Sequence, residues 1–301
     1  MHSAPYVPRR PASSRFVDLR GLRYHLWTWG EPLGGTAPLV MLHGWMDVGA
    51  SFQFVVDAMS PRRWIIAPDW RGFGSTTMPA TTDAYWFPDY VADLDALLDR
   101  VSPDAPVDLA GHSMGGNIAM SYAGVRPERV RKLVNLEGFG LPDMPAEEAP
   151  RRLALWLDQL KLDQRLRDFA SLEEVVARLH QTNPRLDGAK AAWLAGQWAE
   201  TDGSGRWRLR ADAAHKRINP VPYRAAEVVA TWRRIRAPLL WVQGDRSELE
   251  RYWGDRYSES EFQQRLSVVA QVEQLRLRDA GHMLHHDQPD ELAAALEAFL
   301  A

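Results

Sequence analysis

The sequence predicts an α/β fold: a mainly parallel, eight-stranded sheet flanked by helices, with a helical segment inserted after the sixth strand. Three observations carry this expectation. Short apolar runs of strand character alternate with segments of helical period through residues 16–140. Between 144 and 235 helical spacing recurs without a convincing strand, and strand character then returns. One apolar run, 107–110, leads into a serine set between glycines, Gly111-His112-Ser113-Met114-Gly115, and from there into a helix.

Taken in order, residues 1–14 are polar and rich in Pro and Arg, without the apolar stretch of a signal peptide. Residues 16–19 and 22–29 are strands meeting at Arg20-Gly21, a hairpin signature. Residues 38–42 form a continuous apolar strand running into His43-Gly44-Trp45-Met46. A helix over 52–59 follows, then a strand over 64–67 that ends in Pro68-Asp69-Trp70-Arg71-Gly72-Phe73-Gly74. Val91, Leu94, Leu97 and Leu98 mark a helix over 90–101. The strand at 107–110 leads to Ser113 and a helix over 113–124, and a sixth strand, 130–136, ends at Glu137-Gly138. Continuous apolar strands of this kind belong to a sheet covered on both faces.

Residues 144–235 carry no convincing strand, and 201–222 read as an irregular, charged stretch. Leu153, Trp156, Leu157 and Leu160 recur at helical spacing, as do Leu172, Val175, Val176 and Leu179. Ala192, Leu194 and Trp198 belong to a third helix, and Ala226, Val229, Ala230 and Trp232 to a fourth. Trp156, Trp193, Trp198, Trp207 and Trp232 are expected mainly to pack within this segment, with one or two facing a substrate pocket. Strands at 238–242 and 272–277 and a closing helix through Leu292, Leu296 and Phe299 complete the chain. The expected organisation is a core of 1–140 and 236–301 with a helical cap of 141–235.

Composition narrows the function. The 301 residues are 46% hydrophobic and 25% charged, ordinary values for a globular chain able to bury a sizeable core. A net charge of −3 gives no basic field for nucleic acid or an anionic membrane. The absence of cysteine excludes disulfides, thiolate metal sites and a thiol nucleophile, and fits a reducing cytoplasm. No apolar run is long enough to span a bilayer.

In sheets of this type functional residues collect at the carboxyl ends of the strands. Those ends carry His43, Asp69, Ser113, Glu137, Asp245 and His282. Ser113 is the candidate nucleophile. A serine between strand and helix needs small neighbours two residues away, which Gly111 and Gly115 supply, and the helix N-terminus then faces the reacting centre. Its hydroxyl needs a base, and His282, after the last strand, is the candidate. His285 and His286 are rivals, read as solvated or packing residues. The three histidines as a metal site would lack a supporting carboxylate cluster. His112 is expected to pack beneath the turn. Asp69 and Arg71 are expected to fix a loop.

With these pieces in this order, the chain resembles the α/β-hydrolases. The matching segments are His43-Gly44-Trp45, Asp69-Trp70-Arg71-Gly72-Phe73-Gly74, Gly111-His112-Ser113-Met114-Gly115-Gly116 and Gly281-His282, and they span nearly the whole sequence. The segment from Asp202 to Trp232 is similar to the serine hydrolase-like branch, related to haloalkane dehalogenases and epoxide hydrolases. The resemblance implies a cap after the sixth strand and a Ser–acid–His triad. It implies neither dehalogenase nor epoxide hydrolase activity, since those enzymes carry aspartate where Ser113 stands. Most relatives place the acid three residues past the glycine that ends the seventh strand, a position held here by Ser247. Asp245 and Glu248 are neighbours able to substitute. The other location in the family follows the sixth strand, where Glu137 stands, and Glu137 is favoured. The oxyanion hole is expected from the N–H groups of Trp45 and Met114. The expected activity is cofactor-independent and metal-free cleavage of a small apolar carboxylic ester or similar acyl compound, by a monomer or homodimer. C–C bond, lactone or amide hydrolysis would use the same triad, and a non-catalytic ligand-binding protein is the reading from another class.

Overall fold

The computed structural model describes residues 4–247 and 249–301. The core opens with β1 (Ser13–Leu19), β2 (Leu22–Trp29), β3 (Leu39–Leu42), α1 (Gln53–Val56), β4 (Ile65–Pro68), α2 (Phe87–Val101), β5 (Val107–His112), α3 (Met114–Val125) and β6 (Val130–Leu136). The inserted segment carries α4 (Ala149–Leu160), β7 (Asp168–Phe169), α5 (Leu172–Thr182), α6 (Gly188–Trp198), β8 (Ala199–Thr201), β9 (Trp207–Leu209) and α7 (Ala225–Trp232). The chain closes with β10 (Leu239–Gly244), α8 (Leu249–Trp253), α9 (Glu259–Leu266), β11 (Val272–Leu277), α10 (Leu284–Asp287) and α11 (Pro289–Leu300).

The eight core strands form one sheet in the order β1-β2-β4-β3-β5-β6-β10-β11. Only the pairs β1–β2 and β2–β4 are antiparallel; the rest run parallel. This is the predicted fold class. The central strands β3, β4, β5 and β10 are buried at every residue, because helices cover both faces of the sheet. On one face Leu94 and Leu98 of α2, Ile118 of α3, Trp232 of α7 and Phe262 of α9 pack over Leu109 and Trp241. On the other, Val55 and Val56 of α1 meet Leu292 and Leu296 of α11 over Met41 and Val134.

The inserted segment departs from expectation in three ways. It is not purely helical: β7, β9 and β8 form a small antiparallel sheet. Each of these strands is only two or three residues long, too short for a period of two to show in the sequence. They are laced by charge, with Arg208 paired to Asp168 at 2.9 Å, which masks any apolar signal. Second, Trp232 joins the core and not the cap. α7 lies so close on α3 that a side chain at Gly124 would overlap the carbonyl oxygen of Thr231. Third, the apolar period of α4 does not mark a buried face, since Leu153 and Leu157 remain 47% exposed. The rest of the segment has its own cluster, in which Val175, Leu179 and Leu194 surround Phe54 from the end of α1. That phenylalanine ties the insertion to the core.

Candidate active site

The site begins where β5 ends. His112 pairs with Leu136 of β6, and the next residue, Ser113, donates its N–H to the Leu136 carbonyl at 2.9 Å. Ser113 then turns sharply, with φ 52° and ψ −115°, a left-handed conformation that a non-glycine residue adopts only at a cost of about 1–3 kcal/mol. Its carbonyl accepts the Asn117 N–H at 3.0 Å, which starts α3. The flanking glycines are required by contact. A Cβ on Gly111 would overlap the Gly115 carbonyl, and one on Gly115 would overlap the Leu42 carbonyl of β3. Since only backbone could give way, Gly115→Ala is expected to destabilise the protein by about 3 kcal/mol or more, read as a lower melting temperature.

One strand over, Glu137 follows β6 with φ 56°. Asn135 fixes this turn by accepting the Gly138 N–H at 2.7 Å and donating to the Gly138 carbonyl at 3.1 Å. The Glu137 carboxylate is fully buried but satisfied. Oε1 accepts the Gly244 N–H at 2.7 Å, and Oε2 lies 2.8 Å from Nδ1 of His282. Sequence positions 137 and 282 thus meet across the end of β10, which lies between β6 and β11 in the sheet and whose Gly244 amide the carboxylate also accepts. Asp245 points elsewhere: it is exposed, and its Oδ1 accepts the Ala280 N–H at 3.3 Å. Glu248 lies outside the described residues. The Ser247 hydroxyl is buried without a hydrogen-bond partner.

The His282 loop is held from two sides. Asp287 Oδ2 accepts the Gly281 N–H at 2.8 Å, and the His282 carbonyl lies 2.7 Å from Nε2 of His112. A carbonyl only accepts, so His112 carries its proton on Nε2. Burial, with the nearby His282 adding to it, holds the His112 imidazole well below its ordinary pKa and therefore neutral. The expected packing of His112 beneath the turn is what the structure has. By the same logic the His282 Nδ1–H donates to Glu137, which leaves the Nε2 lone pair free to act as a base.

His43-Gly44-Trp45 lies against the serine. A Cβ on Gly44 would come within 3.3 Å of Ser113 Cβ and 3.0 Å of His112 Nδ1, so the backbone approaches the candidate nucleophile closely there. His43 sets this turn, a role the sequence reading did not give it. Its Nε2 accepts the Trp70 N–H at 2.9 Å, which leaves Nδ1–H to donate to the Gly44 carbonyl at 2.7 Å. Burial lowers its pKa to about 4, so this single tautomer persists at neutral pH. In a trans peptide the N–H points opposite to the carbonyl, and the Trp45 N–H is therefore turned away from His43. Trp45 is 54% exposed and not part of the core. The Met114 N–H opens α3 and has no acceptor within the helix. The sequence signal for His43 was its place between a buried strand and a glycine.

Asp69 and Arg71 do fix loops. Asp69 accepts from the Gly49 N–H at 2.8 Å and the Ser75 N–H at 2.9 Å and lies 2.7 Å from His25 Nδ1. Arg71 grips Asp93 with Nε at 2.6 Å and Nη2 at 2.7 Å. Burial pushes the Asp69 carboxyl up, but the hydrogen bond and charge of His25, with His43 and the Ser75 amide, outweigh it and the net pKa lies below 3.8. A depressed folded pKa contributes stability above the unfolded value that is lost as pH falls through the folded one. Asp69→Ala should therefore cost about 3–5 kcal/mol at pH 7. The gap from the parent protein should narrow below about pH 4, as acid unfolding curves would reveal.

The chain belongs to the α/β-hydrolase fold family, whose sequence model matches residues 37–289. It is a hydrolase by family and by its relatives. It is 30% identical over 294 residues to the 3-hydroxybutyrate-oligomer hydrolase of Cupriavidus necator, covering 94% of each chain. It is 29% identical over 196 residues to a serine hydrolase-like protein of Danio rerio, covering 63% of this chain and 59% of that one. The thioesterase domain from the curacin biosynthetic pathway superposes with a TM-score of 0.82, covering 95% of this chain and 99% of that one at 24% identity. That likeness establishes the fold alone.

Proposed function

We infer that the protein is a serine hydrolase that cleaves carboxylic esters through an acyl-enzyme. The observation that carries this reading is the Glu137–His282 contact at the end of β6, the strand whose Leu136 carbonyl accepts the N–H of the strained Ser113. Ser113 Oγ attacks the ester carbonyl carbon. His282 Nε2 takes the hydroxyl proton and delivers it to the leaving alcohol, while the Glu137 carboxylate stabilises the imidazolium. The Trp45 and Met114 N–H groups hold the oxyanion. Water then attacks the acyl carbon, His282 accepts its proton and returns it to Ser113, and the carboxylic acid leaves.

Support for an ester comes from the relative that covers nearly the full length, since oligomers of a hydroxy acid are joined by ester bonds. Short oligo-hydroxyacyl esters are accordingly the first substrates to try, with the 141–235 insertion as the lid over them. Among the described residues no helix is long and apolar enough to cross a membrane. The test is intact-mass analysis after exposure to a fluorophosphonate, which reacts with an activated serine, followed by peptide mapping and a substrate panel. A single adduct on Ser113, absent in His282→Ala, with turnover of simple esters and hydroxybutyrate oligomers, is the expected result. No adduct on folded protein, or turnover confined to epoxides or C–C bonds, would overturn it.

A further inference from the structure

Outside the candidate triad, the structure gathers a second set of buried polar side chains. Asp47, His285 and His286 are all buried, and one donor atom from each lies within 4.8 Å of the others. The sequence offered the histidines without a carboxylate; the fold supplies Asp47 from the far end of the chain. Nε2 of His285 and Nε2 of His286 converge on the Ser51 hydroxyl, at 3.1 and 2.6 Å. Asp47 Oδ2 lies 3.9 Å from His285 Nε2 and has no hydrogen-bond partner.

A hydroxyl has one proton, so it donates to one of these two ring nitrogens and must accept from the other. Asp47 Oδ2 takes no hydrogen bond of standard geometry, although the Val48 amide, the Ser51 hydroxyl and the Trp198 indole N–H stand close to the carboxylate. Burial makes a charged carboxylate costly here and raises the Asp47 pKa to about 7, and a cation is the partner that the two imidazoles and one carboxylate suit together.

We propose that Asp47, His285 and His286 form a binding site for a transition-metal dication of the zinc type. Asp47 Oδ2 and the two Nε2 atoms supply three ligands, and Ser51 Oγ or a water the fourth. Bond lengths near 2.0–2.1 Å require the donors to draw together by roughly 1 Å, within reach of side-chain rotation. Oxygen-preferring magnesium would bind poorly to two imidazoles. The site is separate from the catalytic reading yet joins two of its supports. Asp47 follows Trp45 in the turn set by His43, and His285 and His286 follow His282 on α10. The His285 ring also packs on His112 with centroids 4.4 Å apart. A bound ion would clamp the turn carrying the Trp45 amide to the loop carrying His282.

The test uses the whole protein, stripped with a chelator, desalted and then exposed to zinc, with magnesium in parallel. Metal is counted by mass spectrometry after a second desalting, and the melting temperature is followed. Cobalt(II) serves as the spectroscopic probe, since four-coordinate cobalt absorbs strongly in the visible. One zinc per chain is expected, with a rise in melting temperature on the order of 5 °C at saturation and no effect of magnesium. Asp47→Asn, His285→Gln and His286→Gln should each weaken binding by about tenfold or more. His282→Ala should retain the ion and the cobalt spectrum. If one of the three variants does not fold, the other two decide. Failure to retain zinc, equal retention by all three variants, or loss of the ion in His282→Ala would each overturn the proposal.

Discussion

Ser113→Ala and Ser113→Gly are both expected to lose activity by about 10⁴-fold or more, but only the glycine variant should gain stability. The common loss follows from the chemistry, since neither residue has a hydroxyl to be acylated. The difference follows from the backbone. Ser113 is held at φ 52° and ψ −115°, a conformation that strains any residue with a Cβ and not glycine. Alanine keeps the strain and loses only the nucleophile. Glycine releases it, against the larger entropy that glycine carries in the unfolded chain, for a net gain of about 1 kcal/mol. Ester turnover and thermal melts of the pair, measured together, check both halves. Residual turnover near the parent level in either variant would remove Ser113 from the mechanism.

Glu137→Gln is expected to lower kcat by about 10⁴-fold while leaving the fold intact. The amide oxygen can still accept the Gly244 N–H that Oε1 now accepts at 2.7 Å. The amide nitrogen then faces Nδ1 of His282, where a carboxylate oxygen stood at 2.8 Å. Two donors cannot face one another, so His282 must turn Nδ1 into an acceptor and move its proton to Nε2. That tautomer cannot take the proton from Ser113. Asp245→Asn, by contrast, should keep nearly full activity, because the Asp245 carboxylate faces the Ala280 amide and Arg246 and not His282. Steady-state kinetics of the two variants separate the candidates. A loss in Asp245→Asn with Glu137→Gln unaffected would transfer the acid's role.

Both expectations rest on features that differ in how far the sequence reveals them. The turn around Ser113 is local. Its strand, its glycines and its helix are contiguous, and each leaves a mark in the order of residues, so the element and the candidate nucleophile can be read directly. His282 can be read nearly as well, from its place after the last strand. The sheet follows from continuous apolar runs, because strands covered on both faces have no polar side to interrupt them. The strands of the cap are too short for that signal. α8 and α9, between 249 and 266, leave no such mark in the residue order, being short and highly charged.

The fold class, the strand–turn–helix around Ser113 and a short set of polar residues at strand ends are therefore legible in the order of residues. Those are properties of local period and local sterics. Which of these residues touch was decided by tertiary structure alone. Glu137 meets His282 because only β10 separates β6 from β11 and because Asn135 and a left-handed backbone aim the carboxylate inward. Asp47 meets His285 and His286, and His43 meets the Trp70 amide, through equally distant pairings. No spacing in the chain encodes such contacts. They arise when hydrophobic burial stacks the helices on the sheet and brings loops from both ends of the sequence to one edge.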